Sequence, residues 1–176
     1  MKKEALEVLR NRRSIREYST EKVKEELLDK VLEMGTYAPT GMGSQNPIIV
    51  SIEKEELLKK LDTMSARVMG REGLVNPYYG APVIILVFAK KDSPYPETDS
   101  ALIGGNIMNA AYAVGLGTCW INRGKQMFES EEGKKLQKDF GIDDTYGCYC
   151  TIALGVPKGN HPEAKARKKD YIRKIK

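Results

Sequence analysis

Pro82 opens the run Val83-Ile84-Ile85-Leu86-Val87-Phe88, six apolar residues with no polar alternation. A strand with one face in water alternates polar and apolar positions, so a strand apolar on both faces belongs in the interior of a sheet covered on both sides. That requirement limits the chain to layered folds. The covering helices are legible elsewhere. Ala5, Leu6 and Leu9 predict a helix over 2–11, and Val23, Leu27, Val31 and Met34, with Leu28 and Leu32 beside them, predict a second with Thr20 as its N-cap. Gly35 through Pro47 is rich in Gly, Pro, Ser, Thr and Asn and predicts a long irregular loop before a strand over Ile48–Ile52. Glu53 to Met64 has helical periodicity in Leu57, Leu58 and Leu61, whereas Ser65 to Tyr79 has none. Asp99 is placed to cap a helix from Ser100 to about Val114, followed by a short strand over Thr118–Ile121, a helix over Glu129–Phe140 and a strand over Tyr149–Leu154. Helices that flank and interrupt a small sheet, without regular βαβ repetition, imply one α+β layered domain over residues 1–176.

Composition removes several function classes. The net charge of +5 is modest and sits at the two ends, the C-terminal share being Lys165, Arg167, Lys168, Lys169, Arg173, Lys174 and Lys176. Without interleaved aromatic residues, a helix-turn-helix pattern or zinc-finger spacing, that tail reads as a solvated basic end, and no nucleic-acid partner is expected. The longest apolar segment, Ala101 to Ile121, is broken by Asn106, Asn109 and four glycines, and so reads as a buried helix and strand with no membrane association. The opening residues lack a continuous apolar core, which argues against an export signal, and the odd count of cysteines (Cys119, Cys148, Cys150) argues against a disulfide framework. A reducing cytoplasm is the expected compartment.

The chemistry-bearing residues are few. Cys148-x-Cys150 in a strand would project both thiols to one face, but with Cys119 remote and His161 the one histidine, no metal site is expected. His161, beside Pro162 in a polar loop, reads as a surface residue. Gly41-x-Gly43 and Gly115-x-Gly117 do not complete a dinucleotide fingerprint, and the nucleophile elbow and Walker A patterns are absent. Asn11-Arg12-Arg13-Ser14-Ile15-Arg16-Glu17-Tyr18 remains, with three guanidiniums and a hydroxyl in five consecutive positions. Arg12, Ser14 and Arg16, two residues apart each, share one face of an extended chain over roughly 13 Å. Such a face suits an anion joined to a polar ring by a short arm, each charged hydrogen bond adding roughly 1.5–3 kcal/mol. A solvated basic turn is the competing reading of these residues alone.

Four segments taken together narrow the choice. Arg12-Arg13-Ser14-Ile15-Arg16-Glu17-Tyr18, Ala38-Pro39-Thr40-Gly41-Met42-Gly43-Ser44-Gln45, Tyr79-Gly80-Ala81-Pro82 and Gly115-Leu116-Gly117-Thr118-Cys119-Trp120-Ile121 resemble the FMN-dependent nitroreductase family in order and spacing. Gly155-Val156-Pro157 and Lys165-Ala166-Arg167-Lys168 continue the resemblance over nearly the whole chain. It implies a central mixed, mainly antiparallel sheet flanked by helices, in an intertwined homodimer that holds FMN in two interface clefts. By the same resemblance Arg12 meets the FMN phosphate within a cofactor segment that includes Arg13, Ser14 lies near the phosphate and ribityl arm, and Arg16 lies at the pyrimidine edge. Lys165 and Arg167 match C-terminal phosphate contacts. Pro39, Thr40 and Gly41 match a loop that approaches the flavin from the partner subunit, with Gly43 where the family often has Asn. Backbone N–H groups of Asn122 and Arg123 match those facing flavin N5 and O4, and Asn76 is a further candidate at the ring edge.

The implied function is an NAD(P)H oxidoreductase in which NADH or NADPH gives hydride to the flavin and a nitroaromatic, quinone or similar small-molecule acceptor removes it, by a ping-pong scheme. Arg16 is the catalytic candidate, a fixed cation where negative charge develops on reduction. Asn46-Pro47 departs from the family pattern, and the short chain implies an open cleft. A flavin-binding protein without turnover and a basic nucleic-acid-binding domain are the competing functions.

Overall fold

A computed structural model describes residues 4–176. Helices α1 (Ala5–Asn11), α2 (Glu25–Thr36), α3 (Glu55–Val68), α4 (Pro96–Ala113), α5 (Gly124–Glu129) and α6 (Glu131–Asp139) surround strands β1 (Ile48–Ile52), β2 (Val83–Lys90), β3 (Gly117–Ile121) and β4 (Tyr146–Gly155). The first helix begins at Ala5, and the part of its expected span at residues 2 and 3 lies outside the described residues. The strands run in the order β1-β2-β4-β3 with every neighbour antiparallel, and one parallel bridge, Ser14 to Thr118, joins from outside. Strand β2 is therefore interior, as its unbroken apolar run requires. Ile84, Leu86 and Phe88 enter one core with Leu61, Met127 and Phe128, while Val83, Ile85 and Val87 enter a second with Val31 and Ile107. Phe88 and Phe128 meet edge to face, centroids 5.0 Å apart. No helix among the described residues is long and apolar enough to cross a membrane.

Several boundaries differ from the sequence reading, each for a local reason. Thr20 does not cap the second helix. Residues 17–19 run extended beside 156–158, where Ser19 N–H reaches Val156 O at 2.9 Å and Lys158 N–H reaches Glu17 O at 3.0 Å, so the helix starts only at Glu25. Gly35 is not loop: it is buried in α2, where a Cβ would lie 2.8 Å from Ile107 Cγ1, so the glycine admits α4. Asp99 is not a cap either. Helix α4 begins at Pro96, whose fixed φ suits a first turn, and Asp99 turns its carboxylate to the Gly41 N–H at 3.0 Å. The helix expected over 129–140 is α6, capped by Ser130, and a short helix the sequence reading did not expect, α5, precedes it; the Ser130 hydroxyl donates to Met127 O at 2.6 Å and accepts from Gly133 N at 3.1 Å. The aperiodic stretch after Met64 first completes α3 to Val68. It then turns back, pinned where Asp62 Oδ1 accepts from Tyr78 N at 2.9 Å and Asn76 Oδ1 from Gly80 N at 3.2 Å.

The two cysteines of Cys148-x-Cys150 do not share a face. Val87 pairs with Cys150 and Phe88 with Cys148, so Tyr149 is an extra residue and the strand bulges there. The bulge reverses side-chain parity. Cys148 enters the Phe88 core and Cys150 the Val87 core, on opposite faces of the sheet. Both are buried, and burial pushes both thiols above the usual range.

Candidate functional site

Strand β3 is an edge of the sheet, and the arginine segment lies along it: Ser14 bridges Thr118, and Ile15 N–H donates to Thr118 O at 2.9 Å. Alternation then sorts the side chains. Ile15 is buried against Gly117, where a Cβ would lie 2.8 Å from Ile15 Cγ1. Arg12, Ser14 and Arg16 fall on the side of Cys119. Burial raises that thiol's pKa, and the charge of Arg16, a hydrogen bond from Ser14 and the charge of Arg12 oppose the rise. Tyr18 closes the segment, its hydroxyl donating to Ile15 O at 2.9 Å, and burial holds it well above the usual phenol range.

Arg12 is in an unfavourable place for a cation. Burial, then the neighbouring charge of Arg13, lower its pKa, and its Nη1 is buried with no hydrogen-bond partner among the described residues. Arg13 folds back on α1, Nη1 donating to Arg10 O at 2.9 Å and Arg12 O at 2.6 Å, while its Nε is also buried and unpartnered. Two orphaned guanidinium nitrogens within one short segment are costly unless an anion completes them. A cavity of about 130 Å³ opens beside them, lined also by Tyr112, Gly115, Gly159 and His161. His161 is exposed as expected, with its ring 5.2 Å from that of Tyr112.

At the far end of β3, Asn122 and Arg123 form an exposed corner. Arg123 has φ 91° and ψ 0°, left-handed backbone that a non-glycine residue seldom adopts and that concentrates at working sites. Trp120 Nε1 donates to Asn122 Oδ1 at 2.9 Å. A cavity of about 470 Å³ beside this corner is lined by Trp120, Tyr149, Lys125 and Glu97, and Lys125 Nζ lies 3.2 Å from Glu97 Oε1 and 5.7 Å from the Tyr149 ring centre. The bulge delivers Tyr149 there. Sequence reading missed this tyrosine, because a bulge leaves no mark on an otherwise apolar strand.

The structure does not bring every candidate together within one chain. Pro39, Thr40, Gly41 and Gly43 belong to a turn held against the start of α4, with Gly41 so close to Tyr95 that a Cβ would lie 2.5 Å from its Cδ2. Gly43 has φ +64°, a conformation open to glycine and tolerated by asparagine. Lys165 and Arg167 are exposed on the tail that follows Lys158. Asn76 is engaged in its own turn through Gly80. Tyr79, next in that turn with φ +57°, lies near Tyr18, as does Arg16.

The fold is shared with known proteins. A nitroreductase from Bacteroides fragilis with bound FMN superimposes with a TM-score of 0.88 at 26% identity, covering 99% of this chain and 100% of that one. A second nitroreductase with bound FMN, from Desulfitobacterium hafniense, gives 0.86 at 25% identity with all of both chains covered. A Methanothermobacter thermautotrophicus protein provisionally named NADH dehydrogenase/NAD(P)H nitroreductase is 29% identical over 168 residues, 90% of this chain and 80% of its own. The model of the nitroreductase family matches residues 9–156, and the chain belongs to that family.

Proposed function

We propose that the protein is an FMN-dependent NAD(P)H oxidoreductase that works as a homodimer in the cytoplasm, passing hydride to nitroaromatic, quinone or similar acceptors in a ping-pong scheme. The observation that carries this reading is the buried, unpartnered Nη1 of Arg12, on the face it shares with Ser14 and Arg16. A phosphate fits that requirement. Arg12 and Ser14 would hold it, Lys165 and Arg167 on the exposed tail would add charge, and Arg13 would fix the segment to the end of α1. FMN bound here supplies two-electron chemistry, and the protein's share is to bind, orient and stabilise charge.

The proposal of a dimer rests on apolar surface left open by one chain. Leu102 on α4, Met34 and Tyr37 at the end of α2, and Leu6 and Leu9 on α1 are all exposed, Leu6 to 77% and Leu9 to 64%. Helix α4 is apolar around most of its circumference, and such a helix is normally covered on all sides. A second copy would cover it and bring the partner's Pro39-Thr40-Gly41 turn to a cleft that one chain leaves incomplete.

Arg16 lies at the solvent end of the arginine face and supplies fixed positive charge without reorganisation. Arg16→Ala is expected to lower the flavin midpoint potential by roughly 30 mV, the lower end for a charged hydrogen bond because the residue is exposed. An unchanged potential removes Arg16 from this role. The function as a whole is tested by a visible spectrum of the purified protein before and after anaerobic NADH, then NADPH. A yellow protein that bleaches is expected; one that stays yellow is a binding protein without turnover, and one colourless even with added FMN overturns the reading.

A further inference from the structure

Two of the four non-glycine residues with positive φ among the described residues, Tyr79 and Arg123, stand at opposite ends of one buried chain of hydroxyls. Tyr78, 1% exposed, donates its hydroxyl to Thr151 Oγ1 at 3.1 Å, and Thr151, fully buried, donates to Ile121 O at 2.7 Å. The first end fixes the turn that presents Tyr79 and is itself pinned by Asp62 and Asn76. The second end fixes the last residue of β3, directly before Asn122 and Arg123. Thr151 also touches the far side of that corner, since a Cβ on Gly124 would lie 2.7 Å from Thr151 Cγ2. One side chain thus brackets Asn122-Arg123, hydroxyl on Ile121 and methyl on Gly124.

We propose that Thr151 is a positioning residue that holds the strained Asn122–Arg123 corner in register with the Tyr78–Tyr79 turn through its two hydrogen bonds. A residue in left-handed backbone persists only where its surroundings over-determine it. Here the hydroxyl chain does so from beneath, in a buried interior where a lost partner leaves a polar group unsatisfied. The consequence for turnover rests on the proposed flavin function; the positioning does not.

The test separates hydroxyl from methyl and protein from cofactor. Thr151→Val keeps both the volume and the methyl against Gly124 and removes the donor, whereas Thr151→Ser keeps the donor. The Met127 amide donates to Arg123 O at 2.9 Å and so reports whether the corner is in place. In protein freed of flavin, hydrogen exchange at that amide should be about tenfold faster in Thr151→Val, the scale of one lost buried hydrogen bond, and near wild type in Thr151→Ser. In the flavin-loaded dimer, kcat with NADH should fall about tenfold in Thr151→Val with KM little changed, and recover in Thr151→Ser. Unchanged exchange in Thr151→Val, or equal damage from Thr151→Ser, overturns the proposal. Should Thr151→Val not fold, Tyr78→Phe decides: faster exchange of the Ala81 amide, which donates to Tyr78 O at 3.0 Å, is expected, and wild-type exchange there overturns the relay. A colourless wild-type protein would sink the proposed function while the exchange result still decides this one.

Discussion

Arg12→Ala is expected to purify colourless and to bind added FMN at least about 100-fold more weakly than the parent, the cost of roughly two charged hydrogen bonds. The companion result is less obvious. Without ligand, the variant should be no less stable than the parent, because the guanidinium it removes is half-buried, faces the charge of Arg13, and has an orphaned buried nitrogen, Nη1. Burial lowers the pKa of a base by penalising its charged form, and at any pH where Arg is charged that penalty acts against the folded state. Deleting the group removes the penalty along with the ligand contact. Fluorescence titration of FMN into protein freed of flavin, beside thermal melts with and without FMN, reads both halves. A variant that loses affinity and loses ligand-free stability equally would show Arg12 to be a structural residue. One that keeps its affinity would move the phosphate elsewhere.

The arginine face was legible because strict alternation carries it: Ile15 must be buried, and an extended chain then commits Arg12, Ser14 and Arg16 to the other side. The interior strand was legible for the same kind of reason, since six unbroken apolar residues allow few environments. What failed was local punctuation with two physical meanings. An Asp before an apolar helix signals a cap, yet Asp99 lies past a proline that had already begun the helix, and its carboxylate serves the Gly41 turn 58 residues away. Cys148-x-Cys150 signals a shared face unless a residue is inserted into the ladder, and an insertion at Tyr149 shows only in the register of the partner strand. Thr151 was invisible as a candidate because its partner Tyr78 is 73 residues distant. Hydroxyls in apolar strands announce burial, not the partner that makes burial affordable.

Gly133→Ala is expected to be the most damaging small substitution in the chain. Helices α5 and α6 meet there with no room for a methyl group: a Cβ would lie 2.1 Å from Met127 O and 2.6 Å from Phe128 Cα. Both obstacles are backbone atoms, so no rotamer relieves the clash, and α6 must shift as a body. Overpacking of this kind costs about 3 kcal/mol or more, a large share of the roughly 5–15 kcal/mol that holds a domain together. For a chain of this size that corresponds to a fall in Tm of about 6–12 °C or more. The damage should also reach the site, because α5 begins at Gly124, immediately after Asn122 and Arg123, and Arg123 O accepts from Met127 N within its first turn. Pushing Met127 displaces that acceptor's partner and loosens the corner, so FMN affinity should fall along with Tm, whereas Thr151→Val is expected to loosen the same corner from the opposite side through β3. A Gly133→Ala protein that melts at the parent's temperature would refute the close contact between α5 and α6. One that melts early but binds FMN as the parent does would show instead that the corner is held from β3 alone.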